Sequence, residues 1–171
     1  MILESTVSTP VSNMSPFLES VQQLLLRDLG KLETEVMASS NVGSLWLVRG
    51  EISNSAGTLC LHLCGNIQHY FGAVLGGTGY TRDRNAEFSR RDVPVAELVE
   101  QIRAARSAVE VTLPRLDDQR LDDDYPERVF ERPVSTRFFF IHLVAHLGYH
   151  LGQINYHRRL TGRPDTAGHQ V

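Results

Sequence analysis

The segment Phe138–Leu160, FFFIHLVAHLGYHLGQINYHRRL, constrains the fold most. Its apolar positions Phe139, Ile141, Leu143, Val144, Leu147, Leu151 and Ile154, with no proline among them, read as one long helix. The segment also carries His142, His146, His150 and His157, four of the seven histidines in the chain. A helical residue turns about 100°. With His142 at zero, that geometry puts His146 at about 40°, His150 at about 80°, His157 at about 60° and Gln153 at about 20°. The imidazoles and one amide therefore share a stripe less than a quarter-turn wide.

Residues at i and i+4 on a helix lie about 5–6 Å apart at Cβ. Two imidazole nitrogens can converge from there on one ion, at about 2.0–2.1 Å for zinc. Both His142/His146 and His146/His150 meet the spacing. His157 lies about 10 Å beyond His150 along the axis, too far to share that shell. The alternative is a core or surface stripe of hydrogen-bonded histidines. Three imidazoles at i, i+4 and i+8 on an apolar helix weigh against it, because buried imidazoles need partners and an ion supplies one.

The remaining chain is long enough to bury that helix. Its 171 residues suit one domain spanning 1–171, with 1–12 and 163–171 as loosely held tails. Hydrophobic content of 42% and charged content of 22% belong to a soluble globular protein. A formal net charge of −3 disfavours nucleic acid as a partner. No apolar run reaches membrane-spanning length and no secretory leader pattern opens the chain, which points to the cytoplasm. Cys60 and Cys64 are too few for a disulfide framework.

Three further helices are expected. Ser15 followed by Pro16 opens the first, and Phe17, Val21, Leu24, Leu25, Leu29 and Leu32 carry it to about Ala38. Leu45–Val48 reads as an apolar connector. Ser53, Asn54 and Ser55 cap the second, which runs to about Leu75 and contains LHLCGNIQHY. With His62 at zero, Asn66 falls at about 40° and His69 at about −20°, a polar stripe in an apolar element, while the two cysteines face away and are not expected to be ligands. Gly76, Gly77 and Gly79 end it. Residues 80–92 read as a solvated crossover loop, or alternatively as a site border contributing Arg82, Arg84 or Glu87. Asp92 and Pro94 open the third helix, which closes near Pro114. Residues 117–127 read as a solvated acidic turn and 129–133 as a short extended piece. Ser135 caps the fourth helix, and Gly162 with Pro164 stops it. His169 has no visible partner.

Four amphipathic helices of this length predict an all-α four-helix bundle. The linker of residues 76–93 is long enough for helices two and three to run parallel. In such a bundle His62 could join a pair on helix four, making a three-imidazole site with open positions. The spacing does not choose among zinc, nickel and iron.

HLVAHLGYHLGQI resembles the final-helix signature of the DinB-like (YfiT-type) metal-binding bundle superfamily, in which H-x-x-x-H is followed by x-G-Q. LHLCGNIQHY and TRDRNAEF resemble one branch of it. The resemblance covers the chain from helix one to Gly162. It implies an up-down-down-up bundle, often dimeric, with one divalent ion held by His62, His146 and His150. His142 precedes the family's pair and is extra to it. The family includes thiol-dependent transferases and isomerases as well as members without metal.

A three-histidine ion can activate water or a thiol. The expected function is a metal-dependent S-transferase or hydrolase acting on a small electrophile, with a low-molecular-weight thiol as co-substrate. The alternative is a non-catalytic metal- or ligand-binding homodimer with a stress or sensor role. No carboxylate adjoins the histidines on either helix, so no general base is identified. Asn66, His142 and Gln153 would orient ligands or substrate, and Arg82, Arg84, Arg90 or Arg91 would hold a thiol's carboxylates.

Overall fold

The computed structural model describes residues 14–39 and 42–161. The expectations for the two tails, for the Gly162–Pro164 stop and for His169 lie outside them. The described residues are helical, with no strand beyond a single bridge between Asp124 and Ser135. The expected extended piece at 129–133 is therefore not formed.

Helix α1, Pro16–Met37, starts as its sequence dictates. The Leu18 N–H donates to Ser15 Oγ at 3.4 Å, and proline occupies the first position, where no N–H is needed. Leu18, Val21, Leu25, Leu29, Leu32 and Val36 are buried along one face. Of the residues read as a connector, Leu45 and Trp46 close a short helix, α2, Val42–Trp46, while Leu47 and Val48 follow it without regular structure. The Trp46 indole lies on the first turn of α3, Ala56–Ile67, where a Cβ at Gly57 would come within 2.7 Å of the ring. Helix α3 is capped by Ser55 Oγ, which accepts from the Thr58 N–H at 3.2 Å.

Beyond Ile67 the helix widens into a π-helical segment, Gln68–Leu75. The Gly76 N–H reaches back five residues to the Phe71 carbonyl at 2.9 Å. Gly77 and Gly79 then adopt φ of 61° and 74° and turn the chain away.

Residues 80–92 contain a short helix, α4, Arg84–Ser89, capped by Asp83, whose carboxylate accepts from the Ala86 N–H at 2.9 Å. Helix α4 packs on α3. Helix α5 is Val95–Thr112, and α6 is Thr136–Thr161, with the Phe138 N–H donating to Ser135 Oγ at 3.2 Å. The acidic stretch before α6 is mostly exposed. Leu121 and Tyr125 nevertheless enter the core, and the Tyr125 hydroxyl donates to the Tyr70 carbonyl at 2.7 Å.

Side-chain contacts fix the helix directions. The α3–π segment runs antiparallel to α6: His62 lies against His146 and His150, while Tyr70 and Phe71 meet Phe139 and Phe140. It runs parallel to α5, since Gln68 bonds Gln101 and Gly72 lies against Ala108. Helix α1 runs parallel to α6, through Phe17–Arg137 and Glu35–Arg158 contacts. Each of α1 and α3 packs against both α5 and α6.

Candidate metal centre

Helix α3 contributes His62 and α6 contributes His146 and His150. One ligand nitrogen from each lies within 4.8 Å of the other two, the group among the described residues that could hold a metal ion. His62 Nε2 and His146 Nε2 are 3.3 Å apart. The antiparallel register explains the convergence: His62 sits across from the turn joining His146 and His150, its ring centroid 5.2 and 5.5 Å from theirs.

Hydrogen bonds assign the protons on two of the three rings. His62 Nδ1 is 3.0 Å from Glu87 Oε2, so it carries the proton and donates it to the carboxylate. His150 Nδ1 is 2.7 Å from Gln153 Oε1 and likewise donates. In both rings Nε2 is left with its lone pair inward, as metal ligation requires. His146 Nδ1 is buried without a partner, as is Asn66 Oδ1 on the same stripe of α3 as His62. Burial pushes His146 down to about 4, helped by His150 and His62 nearby. Burial also lowers His150, against the opposing effect of the hydrogen bond it donates to Gln153. Both shifts favour the neutral imidazole at His146 and His150.

His142, which the spacing allowed as a ligand, stands outside this group. Its ring stacks on Phe139, meets Phe130 edge-on and lies 5.9 Å from His146. His157 is buried and donates from Nε2 to the Leu47 carbonyl at 2.7 Å. His69, about 10 Å along the axis from His62, lies outside the group and pairs with Glu127 Oε2 at 2.7 Å. Cys60 and Cys64 are buried free thiols. The hydrogen bond to Cys60, with burial, holds the Cys64 thiol well above its ordinary range.

The reading of residues 80–92 as a solvated loop is corrected. Glu87, 6% exposed, is buried against His62, and Arg82 clamps it with Nε–Oε1 and Nη2–Oε2 bonds of 2.6 and 2.9 Å. Burial would raise the Glu87 carboxyl, but hydrogen bonds from Arg82 and His62 hold it below its ordinary value. A carboxylate does adjoin the histidines, although from α4 rather than from their own helices. The sequence signal for it was Gly65, in an otherwise apolar helix interior: a Cβ there would lie 2.1 Å from Glu87 Oε1. Arg84 is exposed, with its guanidinium over the Phe88 ring, and that ring is 5.0 Å from His62. Arg90 pairs with Glu97, and Arg91 donates to the carbonyls of Phe88 and Arg90.

The fold and site define a helical protein with three inward-facing imidazoles able to hold a metal ion. The sequence model of the DinB superfamily matches residues 18–154, most of the chain, and the protein belongs to that superfamily. No curated protein matches the sequence as a relative. Among the described residues no helix is long and apolar enough to cross a membrane.

Proposed function

We propose that the chain is an up-down-down-up four-helix bundle holding one divalent ion on His62, His146 and His150, and that it catalyses thiol transfer to a small electrophile. The observation that carries this is the convergence of the three rings: one ligand nitrogen of each lies within 4.8 Å of the other two, while Glu87 and Gln153 accept from His62 Nδ1 and His150 Nδ1 and orient those rings. Three imidazoles converge at one point, His62 Nε2 lying 3.3 Å from His146 Nε2, and such a donor set fits a cation. Zinc, nickel and iron all suit three imidazoles. When bound, such an ion lowers the pKa of a thiol or water and polarises an electrophile. The surrounding residues then have distinct tasks. Glu87 orients His62 and increases its electron donation, Arg82 keeps Glu87 ionised, and Gln153 orients His150. Arg84, with no ion-pair partner among the described residues, is placed beside Phe88 to receive an anionic group of the thiol. Exposed Phe138 and Ile141 on α6 support a homodimer.

A second reading, a non-catalytic metal- or ligand-binding dimer, is favoured by one observation. Glu87, the carboxylate at the site, is committed to Arg82 and His62 and is not free to act as a general base. The test is cobalt substitution followed by thiol titration. Cobalt is expected in the wild type and in His142→Ala, and lost in His62→Ala, His146→Ala and His150→Ala. A thiolate charge-transfer band should grow on adding a low-molecular-weight thiol. Cobalt binding without any thiol-induced band would leave the second reading; retention of cobalt in His150→Ala would overturn the triad.

A further inference from the structure

A cavity of about 680 Å³ opens one helical turn from the triad, between the start of α3 and the end of α6. That volume suits a small organic molecule. Ile52, Leu59, Tyr149, Tyr156 and Leu160 supply its apolar wall. Two of its residues also touch the metal centre. Gln153 lines the cavity while its Oε1 accepts from His150, and the Tyr149 ring stands 5.2 Å from the His150 ring. Leu59 precedes His62 by one turn on α3.

The polar lining has one sign. Glu51 brings a carboxylate with no partner among the described residues, and no lysine or arginine lines the cavity. Ser53 and Asn54 add neutral groups that both accept and donate, so Glu51 alone sets the sign of the charge. His157 forms part of the wall, with its Nε2 donating to the Leu47 carbonyl and its Nδ1 buried away from the opening. Tyrosine rings beside an anionic group suit a cation, which both attract. An anionic ligand would meet Glu51 with no counter-charge.

We infer that this cavity binds the non-reacting part of the substrate, an aromatic or apolar body carrying a cationic N–H group, and that the reacting end points along Gln153 toward the histidines. The assignment as substrate subsite rests on the enzymatic reading above; the binding itself does not. It also separates the two reactants by charge, with the anionic thiol at Arg84 and the cationic partner at Glu51.

Phenethylamine, phenylacetamide and phenylacetate form a probe series that changes charge on one body. Their binding is measured by titration calorimetry on metal-free and zinc-loaded protein, with zinc content determined in parallel. Phenethylamine is expected to bind both forms and phenylacetate at least about tenfold more weakly, given the strength of hydrogen bonds to charged groups. Glu51→Gln should weaken the amine about tenfold and leave the amide unchanged. Gly152→Phe fills the cavity from a cavity-lining position where an added Cβ meets nothing within 4 Å, and should abolish amine binding while zinc content stays at the wild-type level. Binding of phenylacetate as tight as the amine, amine binding that survives Gly152→Phe, or no amine binding at millimolar concentration would each overturn the inference. Amine binding by a wild type that takes up no zinc would leave the cavity standing and remove the metal reading instead.

Discussion

Replacing Gly65 by alanine adds one methyl group to a helix, a change that ordinarily stabilises an interior position by about 1 kcal/mol. Here the added Cβ would lie 2.1 Å from Glu87 Oε1 and 2.8 Å from Glu87 Cδ. The carboxylate must move, and it is held by Arg82 on both oxygens and by His62. Overpacking costs about 1–3 kcal/mol, and each charge-assisted hydrogen bond lost adds about 1.5–3 kcal/mol before water replaces it. Against the helix gain, a net destabilisation of about 2 kcal/mol follows for Gly65→Ala. At about 2–4 °C per kcal/mol for a chain of this size, the midpoint should fall by about 4–8 °C.

Metal affinity should fall with it. Glu87 fixes the tautomer of His62, and losing such a support typically costs about 10–100-fold in affinity. Thermal unfolding and zinc competition against a chelator measure the two effects. Gly152→Ala is the control, because its Cβ meets nothing within 4 Å. It should raise the midpoint by about 2–4 °C and leave zinc binding untouched. If Gly65→Ala behaves like Gly152→Ala in both assays, the packing of Glu87 against α3 is wrong, and with it the support assigned to His62.

Acidification should destabilise the metal-free protein. His146 has its value lowered from 6.5 to about 4 by burial and by the neighbouring histidines, so the unfolded chain binds the proton more readily. The stabilisation is fully present above pH about 6.5 and is lost as pH falls through about 4. A scan of unfolding midpoint against pH should slope downward across that window, and a flat scan would contradict the burial. Cys60 and Cys64 should resist thiol reagents in the folded state, being buried and, at Cys64, pushed up in pKa. Both should titrate after denaturation, and the double serine variant should keep its zinc; loss of zinc from a folded double variant would make a cysteine a ligand.

The features legible in the sequence are those that repeat along one helix. The α6 stripe, the Ser15 and Ser55 caps and the glycine exit after Leu75 all follow from local rules and stand where those rules put them. What the sequence left open was which pair on α6 faces His62, because His142/His146 and His146/His150 have identical spacing. The choice depends on the register between α3 and α6, set far from the site by Tyr70 and Phe71 meeting Phe139 and Phe140. His69 was never open to the same choice, since it stands about 10 Å along the axis from His62. Glu87 and Arg82 entered the sequence reading only through the alternative for residues 80–92, a site border. Helix α4 has six residues, too few for a periodic signal, and its charged composition is that of a solvated loop. Their burial follows from pairing, since a carboxylate clamped by a guanidinium and an imidazole can be buried where neither charge alone could be. The hole at Gly65 gives that pair room beside α3, so the stripe on α3 and α6 and the charged crossover come together at His62.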